Sequence, residues 1–311
     1  QFVVRAVAHC TSLAYLHKLG KNLANYYPNY TAAYQAAQGI YSSSIASVAD
    51  PLDAAYYAGT GNRNDYMGGI TFDQHFNEHL IWKTTVYGHA DSGYSTWITP
   101  YTPSPNGSPL SQRTTSMGIQ RGGATSALTY TYKRNTLNTG FWYEYGQFTE
   151  SRFFSETPLL GQGTPGDQTS HYPTDIFRTL WKEQFQTNTF QFFLQDTYKI
   201  TDNLKVNAGF RSLYVHEGNS VPYQNVAVNG GTIAQGNLTA ANAFLPQVSI
   251  NWRFFPKNEL FFDVSHNMRA FPQDGYGTSV SATPWTVSNA AFNRKLKPET
   301  DWVYEGGYRY T

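Results

Sequence analysis

The sequence predicts an all-β chain, a partial transmembrane antiparallel β-barrel laid out as an open, curved meander sheet. Three observations carry that prediction. Segments alternate apolar and polar residues, very short connections alternate with long ones, and a polar chain carries a heavy aromatic load. A strand sends successive side chains to opposite faces, so alternation gives each segment one greasy and one wet face. Short turns at one rim and long loops at the other are the pattern of an outer-membrane barrel, whereas a soluble sandwich spreads modest loops over both ends.

Taken in order, residues 1–63 are the least patterned and read as an extracellular loop or an unassigned leader region. Arg5 followed by Ala6, Val7 and Ala8 is too short an apolar run for a secretory signal peptide. Leu13, Leu16, Leu23 and Tyr27 fall near helical spacing, and Thr31 to Gln38 is Ala-rich, which predicts a short helix. The barrel portion is expected over residues 64–311. Tyr66, Gly68, Ile70, Phe72 and Phe76 lead into a turn at Asn77, Glu78 and His79, and Leu80, Trp82, Thr84 and Val86 lead out. Ala124, Leu128, Tyr130 and Tyr132 precede Lys133 to Thr136, and Leu137, Phe141, Tyr143 and Tyr145 follow. The run Phe190 to Arg211 holds two alternating segments around Thr201, Asp202 and Asn203. Val248, Ile250, Trp252 and Phe254 precede Pro256, Lys257 and Asn258, and Leu260, Phe262, Val264 and His266 follow. A last strand sets Trp302, Tyr304, Gly306, Tyr308 and Tyr310 on one face.

Shared parity predicts that even-numbered residues near 64–88, 204–210 and 248–266 face lipid and odd-numbered ones the lumen. The long connections are read at 89–116, 151–180, 216–243 and 269–297, on the extracellular side. Four hairpins and one final strand make about nine strands, against roughly 22 in a large energised transporter. The count therefore predicts a piece of a larger barrel, since an open sheet in lipid leaves edge groups unsatisfied.

Aromatics form 16% of the chain while its mean hydropathy is −0.48. A barrel reconciles the two, because only every second strand residue need be apolar while aromatics gather at the interfaces. Tyr132, Tyr198, Trp252, Phe254, Tyr308 and Tyr310 lie close to the short turns and predict one such girdle. A net charge of +1 without basic clusters gives nucleic acid nothing to bind, and the single Cys10 excludes an internal disulfide framework.

Recurring residues also carry a family resemblance. Leu296-Lys297-Pro298-Glu299-Thr300 followed by Tyr304-Glu305-Gly306-Gly307-Tyr308 resembles the "LKPE-T … YE-G-KY" signature of TonB-dependent receptors. Phe193 to Leu204 resembles that family's "F-QD-yklTd-L" hairpin, Phe244 to Trp252 its "fsPr-gl-y" strand, and Leu260 to Phe271 its "l-a-ys-gfra" strand. Asp53 to Tyr57 and Gly61 to Asn64 are similar to barrel segments of the same receptors, with less specific patterns. The resemblance implies a Gram-negative outer-membrane receptor that imports a scarce nutrient, most commonly a ferric siderophore. It implies outer-membrane lipid, a small-molecule ligand and TonB as partners, the last through a plug domain that this chain lacks. It implies no enzyme activity and no cofactor. A passive porin-like channel and a secreted, aromatic-rich glycan-binding β protein are the two other readings of the same alternation.

Candidate ligand contacts are Tyr94, Trp97 and Tyr101, in a stretch with four prolines, because rigid aromatics suit a flat siderophore or a sugar ring. Arg121 and Arg152 are candidates for an anionic ligand. The competing reading packs Trp97 and Tyr101 within their own loop and places the arginines in lumen charge ladders. His75-x-x-Glu78-His79 matches a zinc-protease pattern but straddles a turn, where i and i+4 side chains do not stack. Gly161 to Gly166 matches G-x-G-x-x-G without the flanking strand and helix that a dinucleotide site needs.

Overall fold

The computed structural model describes residues 2–13, 31–40, 52, 59–162, 172–225, 233–271, 273 and 296–310. Alternation along these segments becomes a single antiparallel sheet. Its strands are β1 (Phe2–Leu13), β2 (Gly59–His75), β3 (Leu80–Thr99), β4 (Ser111–Tyr132), β5 (Asn135–Glu156), β6 (Ile176–Lys199), β7 (Leu204–Gln224), β8 (Gly236–Phe255), β9 (Asn258–Arg269) and β10 (Glu299–Tyr310). Each strand pairs with its neighbour in sequence, and β1 and β10 form the two edges. The sheet is thus the predicted open meander.

Among the described residues ten strands stand where the sequence predicts nine. The additional one, β1, lies within the stretch 1–63 read as loop or leader, and β2 begins at Gly59 rather than near 64. Val3, Val4, Ala6, Val7 and Ala8 put apolar residues on both parities, and the register slips between Val7 and Cys10. With no steady period, β1 leaves no alternating signature. The Ala-rich run does form its short helix, at residues 31–37. Leu16, Leu23, Tyr27, Asp53 to Tyr57 and Gly163 to Gly166 lie outside the described residues.

Strand length is the second departure. β3 to β8 run to between 20 and 24 residues, whereas about 9–11 tilted residues cross the hydrocarbon. Each therefore continues far beyond the bilayer on the long-loop side. Three of the long connections shrink accordingly, to 100–110, 157–175 and 225–235, while the β9–β10 connection at 270–298 keeps its expected length.

Register settles which residues share a face. Pairs of equal parity such as Gly68 with Gly88 and Val86 with Ala124 keep the apolar set even-numbered through β2, β3 and β4. The two-residue turn at Lys133 and Arg134 pairs Tyr132 with Asn135, so the apolar set of β5 becomes odd: Phe141, Tyr143 and Tyr145. Tyr198 opposite Asn135 returns it to even in β6, where it stays to Tyr310. This face exposes Ile70, Val86, Leu128, Phe141, Phe190, Phe192, Val248, Ile250 and Phe262. At its short-turn rim, Tyr130, Tyr132, Tyr198, Trp252, Tyr308 and Tyr310 are exposed, with Phe254 lying between Trp252 and Tyr308. That is the predicted girdle.

The short turns are locally encoded. Asn77 Oδ1 accepts from the amides of His79 and Leu80, both at 2.8 Å, an Asx turn that reverses the chain. Thr201 Oγ1 donates to Asn203 Oδ1 at 2.6 Å in the β6–β7 turn. Lys133 takes a left-handed φ of 53°, as a two-residue hairpin requires.

Candidate functional site

The opposite face is polar and concave. Arg63 on β2 and Glu217 on β7 line the same cavity of about 640 Å³, which strands so far apart in the sheet achieve only where it curls inward. Trp142, Phe148, Thr187 and Thr189 contribute walls, and Phe271 and Gln273 contribute a cover.

Cross-strand register builds the polar wall. His89 of β3 sits opposite Met67 of β2 and Arg121 of β4. An arginine only donates, so the 3.0 Å contact from Arg121 Nε fixes His89 Nδ1 as acceptor. His89 Nε2 then carries the hydrogen and donates to Asp65 Oδ1 at 2.9 Å. A second branch crosses from β3 to β5. Tyr87 Oη donates to Glu144 at 2.5 Å and accepts from Trp142 Nε1 at 2.7 Å. Tyr87 reaches Glu144 only by lying over Gly123, which pairs with both. A Cβ at Gly123 would stand 2.7 Å from the Tyr87 hydroxyl and 2.5 Å from the Tyr143 carbonyl oxygen. Arg121 Nη1 lies 3.9 Å from Glu144, and Arg63 Nη1 donates to Asp91 at 2.9 Å. The result is a continuous ladder of compensated charge from β2 to β5.

Further along the same face, Arg211 donates to Asn267 at 2.6 Å. Asn219 donates to Glu183 at 3.0 Å, both buried. The chain leaving β9 turns inward here. Phe271 packs on the Phe185, Ala234 and Leu238 cluster, as Phe148 does, and also on the Val215, Leu245 and Met268 cluster. Gln273 Nε2 donates to Thr187 Oγ1 on β6, three strands from where the segment began. The β9–β10 connection, predicted only as an extracellular loop, thus starts by folding over the lumen wall.

The five sequence-predicted residues do not converge. Arg121 faces the cavity within the ladder. Trp97 shares its face, stacked under the Arg113 guanidinium at 4.3 Å. Arg152 is buried, donates from Nε to Thr115 Oγ1 at 3.1 Å and lies 5.5 Å over the Trp181 ring. Tyr94 has the other parity and meets Tyr172 edge to face at 5.4 Å. Tyr101, 67% exposed, lies on the 100–110 connection, away from the other four. That connection is pinned to the end of β5. Thr157 Oγ1 donates to the Leu110 carbonyl at 2.8 Å and sits 2.8 Å from Ser108 Oγ, while Asn106 Nδ2 donates to the Thr157 carbonyl at 2.9 Å. Arg63, Tyr87, Trp142, Glu144 and Glu217 were missed. Parity marked Tyr87, Trp142 and Glu144 as lumen-facing, while Arg63 and Glu217 fell in stretches read as leader and extracellular loop; the register sets Tyr87 and Glu144 in one row.

His75 and His79 flank the β2–β3 turn, each beside its own neighbouring carboxylate, Asp73 at 3.3 Å and Glu78 at 3.4 Å. Among the described residues no three His, Cys, Asp or Glu side chains gather as a metal site.

A long-stranded antiparallel wall with an apolar face girdled by aromatics, and a polar face enclosing a cavity, defines an outer-membrane β-barrel protein. The family profile described as "TonB dependent receptor-like, beta-barrel" matches residues 12–311. The chain belongs to that family, whose members are receptors and transporters of the Gram-negative outer membrane. Similar solved structures include the ferric citrate transporter FecA in its unliganded form, at 12% identity and a TM-score of 0.52, covering 81% of this chain and 32% of that one. The ferric preacinetobactin receptor BauA of Acinetobacter baumannii gives 13% identity and a TM-score of 0.51, covering 81% of this chain and 36% of that one. The copper transporter OprC gives 17% identity and a TM-score of 0.54, covering 83% and 38%. At such identities the likeness is one of fold. This chain spans about a third of each of those proteins' length. A search among curated proteins finds no match.

Proposed function

We propose that this chain forms part of the barrel wall of a receptor that takes up a scarce nutrient, a ferric siderophore, with energy delivered by TonB through a plug domain. The single observation that carries the reading is the lumen wall. A cavity of about 640 Å³ is of the size that holds a small-molecule ligand. It is lined by a hydrogen-bonded polar ladder and by Trp142, Phe148 and Phe271. A ligand entering past the long loops meets this wall before it meets the periplasm. Trp97 and Arg152, braced on the same face nearer the long-loop rim, are proposed to shape the entrance. Tyr101 is proposed as an outer contact, and Tyr94 as a brace for the outer face through Tyr172. No covalent chemistry on the ligand is part of the proposal.

The test is uptake of ⁵⁵Fe-siderophore by iron-starved cells that carry or lack the gene, with and without functional TonB. Uptake lost on deleting either gene is the expected result. Uptake that survives loss of TonB would replace the proposal with a passive channel.

A further inference from the structure

We infer that the apolar face carries a binding site for an outer-leaflet glycolipid, an open groove that seats the sugar-linked end of one acyl chain. The inference is independent of the siderophore reading.

Tyrosines, glutamines and bare backbone build the groove. Its volume is about 630 Å³. Tyr145 of β5, opposite Gly122 of β4, closes one end, and Tyr66 of β2 stands exposed at the other. Gln120 and Gln147, paired across β4 and β5, form the lip. Between these walls the register sets Gly68 opposite Gly88, and Gly88 opposite Gly122. Strands stand about 4.8 Å apart, so this floor is about 10 Å of sheet without side chains. Met67, His89 and Arg121 border it, while their parity sends their side chains to the lumen. Neither packing nor backbone geometry asks for glycine on this floor. A Cβ would meet nothing within 4 Å at Gly68 or Gly88 and only an ordinary contact at Gly122, and none of the three has a positive φ. Glycine weakens a strand interior, and there it marks a place where a ligand approaches the backbone closely.

Depth and chemistry select the occupant. Gly88 lies eight residues beyond Leu80, the first residue of β3, and about 9–11 tilted residues cross the hydrocarbon. The row nearer the short turns, Ile70, Val86 and Ala124, is apolar. The row nearer the long loops, Tyr66, Ala90, Gln120 and Gln147, brings in amides. The groove therefore sits where outer-leaflet acyl chains join their headgroups. Gln147 Nε2 donates to Tyr145 Oη at 2.9 Å and braces the end wall. The exposed Gln120 amide has no hydrogen-bond partner among the described residues. An amide both donates and accepts, as the hydroxyls and acyl-linkage carbonyls of a sugar-borne chain require. From β2 to β5 the glycine row and the rows on either side of it hold no charged side chain. A phosphate or an ammonium finds no counter-ion there, so a phospholipid headgroup gains nothing. Continuity with the lipid-facing surface selects a lipid over a protein partner.

The full-length receptor containing this chain, purified in detergent and stripped of lipid, is titrated with lipid A, dioleoyl phosphatidylethanolamine and cardiolipin. Bound lipid is read by native mass spectrometry. One lipid A is expected to bind about tenfold more tightly than either phospholipid. Gly88→Leu fills the groove at a position where a Cβ meets nothing within 4 Å, and should abolish that preference. Gly122→Leu serves as a second variant should Gly88→Leu not fold. Gln120→Leu should weaken lipid A binding about threefold to tenfold and leave phospholipid binding unchanged. Equal binding of the three lipids, a preference that survives both glycine variants, or lipid A binding unchanged in Gln120→Leu overturns the inference. So does an outer-membrane protein that the wild type retains and Gly88→Leu loses while lipid A binding stays unchanged. None of these outcomes bears on iron uptake, which is read separately.

Discussion

Two neighbouring glycines make opposite predictions. Gly122 and Gly123 are adjacent in β4 but face opposite sides of the sheet. A Cβ added at Gly122 meets only the Tyr87 carbonyl oxygen, at an ordinary 3.5 Å. At Gly123 it would lie 2.5 Å from the Tyr143 carbonyl oxygen, 2.7 Å from the Tyr87 hydroxyl and 2.9 Å from Tyr87 Cζ. Two of those atoms belong to a ring held at both ends, by its own strand and by Glu144 and Trp142. Gly123→Ala must therefore swing Tyr87 away. That forfeits a hydrogen bond to a carboxylate, worth about 1.5–3 kcal/mol, and one from an indole, worth about 0.5–1.5 kcal/mol. The backbone contact adds further strain. The expected cost is about 2–4 kcal/mol. Gly122→Ala should be neutral or stabilising by about 0.5–1 kcal/mol, because alanine loses less backbone freedom on folding. Both variants of the full-length protein are to be unfolded by guanidinium in lipid vesicles, with Trp142 emission as a local reporter. Equal stability of the two would refute the assignment of Tyr87, Gly123 and Glu144 to one packed row.

Three further outcomes follow from the same geometry. Phe192→Arg, on the apolar face well away from either rim, should cost roughly 2–4 kcal/mol in the bilayer, while Gln191→Arg on the lumen face should cost little; equal tolerance in refolding titrations would contradict the parity. In a Cys10→Ser background, an impermeant thiol reagent on intact cells should label Ser220→Cys near the end of β7 and spare Asn203→Cys in the β6–β7 turn; the reverse would invert the topology. Thr157→Val removes the hydroxyl that holds Leu110 and Ser108, which should destabilise this corner by about 1–3 kcal/mol. It should also open residues 100–110 to proteases and faster amide exchange, and unchanged protection would show that the clamp is idle.

How much was legible follows from where the environment is two-sided. Between the aromatic girdle and mid-strand, lipid lies on one side and a polar lumen on the other, so Leu204 to Phe210 and Val248 to Phe254 alternate cleanly and betray both strand and face. Above the bilayer both faces meet water or protein, and the constraint lapses. Ser111, Gln112, Thr114 and Thr115 are all buried, on both parities, and no period marks them as strand. Three of the four loops consequently read longer than they are. The site suffered differently. Tyr87, Arg121 and Glu144 stand on three strands, tens of residues apart, and only the register sets them in one row. Lumen parity was visible for each, but adjacency was not. The inward path of Phe271 and Gln273 had no local signature, since an aromatic and an amide serve an exposed loop equally well.

The central claim is that the face carrying Phe190, Phe192 and Tyr214 meets lipid and the face carrying His89, Arg121 and Glu144 lines an aqueous lumen. Spin labels placed one at a time along 204–214 of the full-length receptor in vesicles test it directly, read for collisions with oxygen, which favours lipid, and with a water-soluble nickel chelate. Even positions should favour oxygen and odd positions the nickel reagent, with a period of two. The opposite phase, or accessibility that does not alternate, would contradict the account.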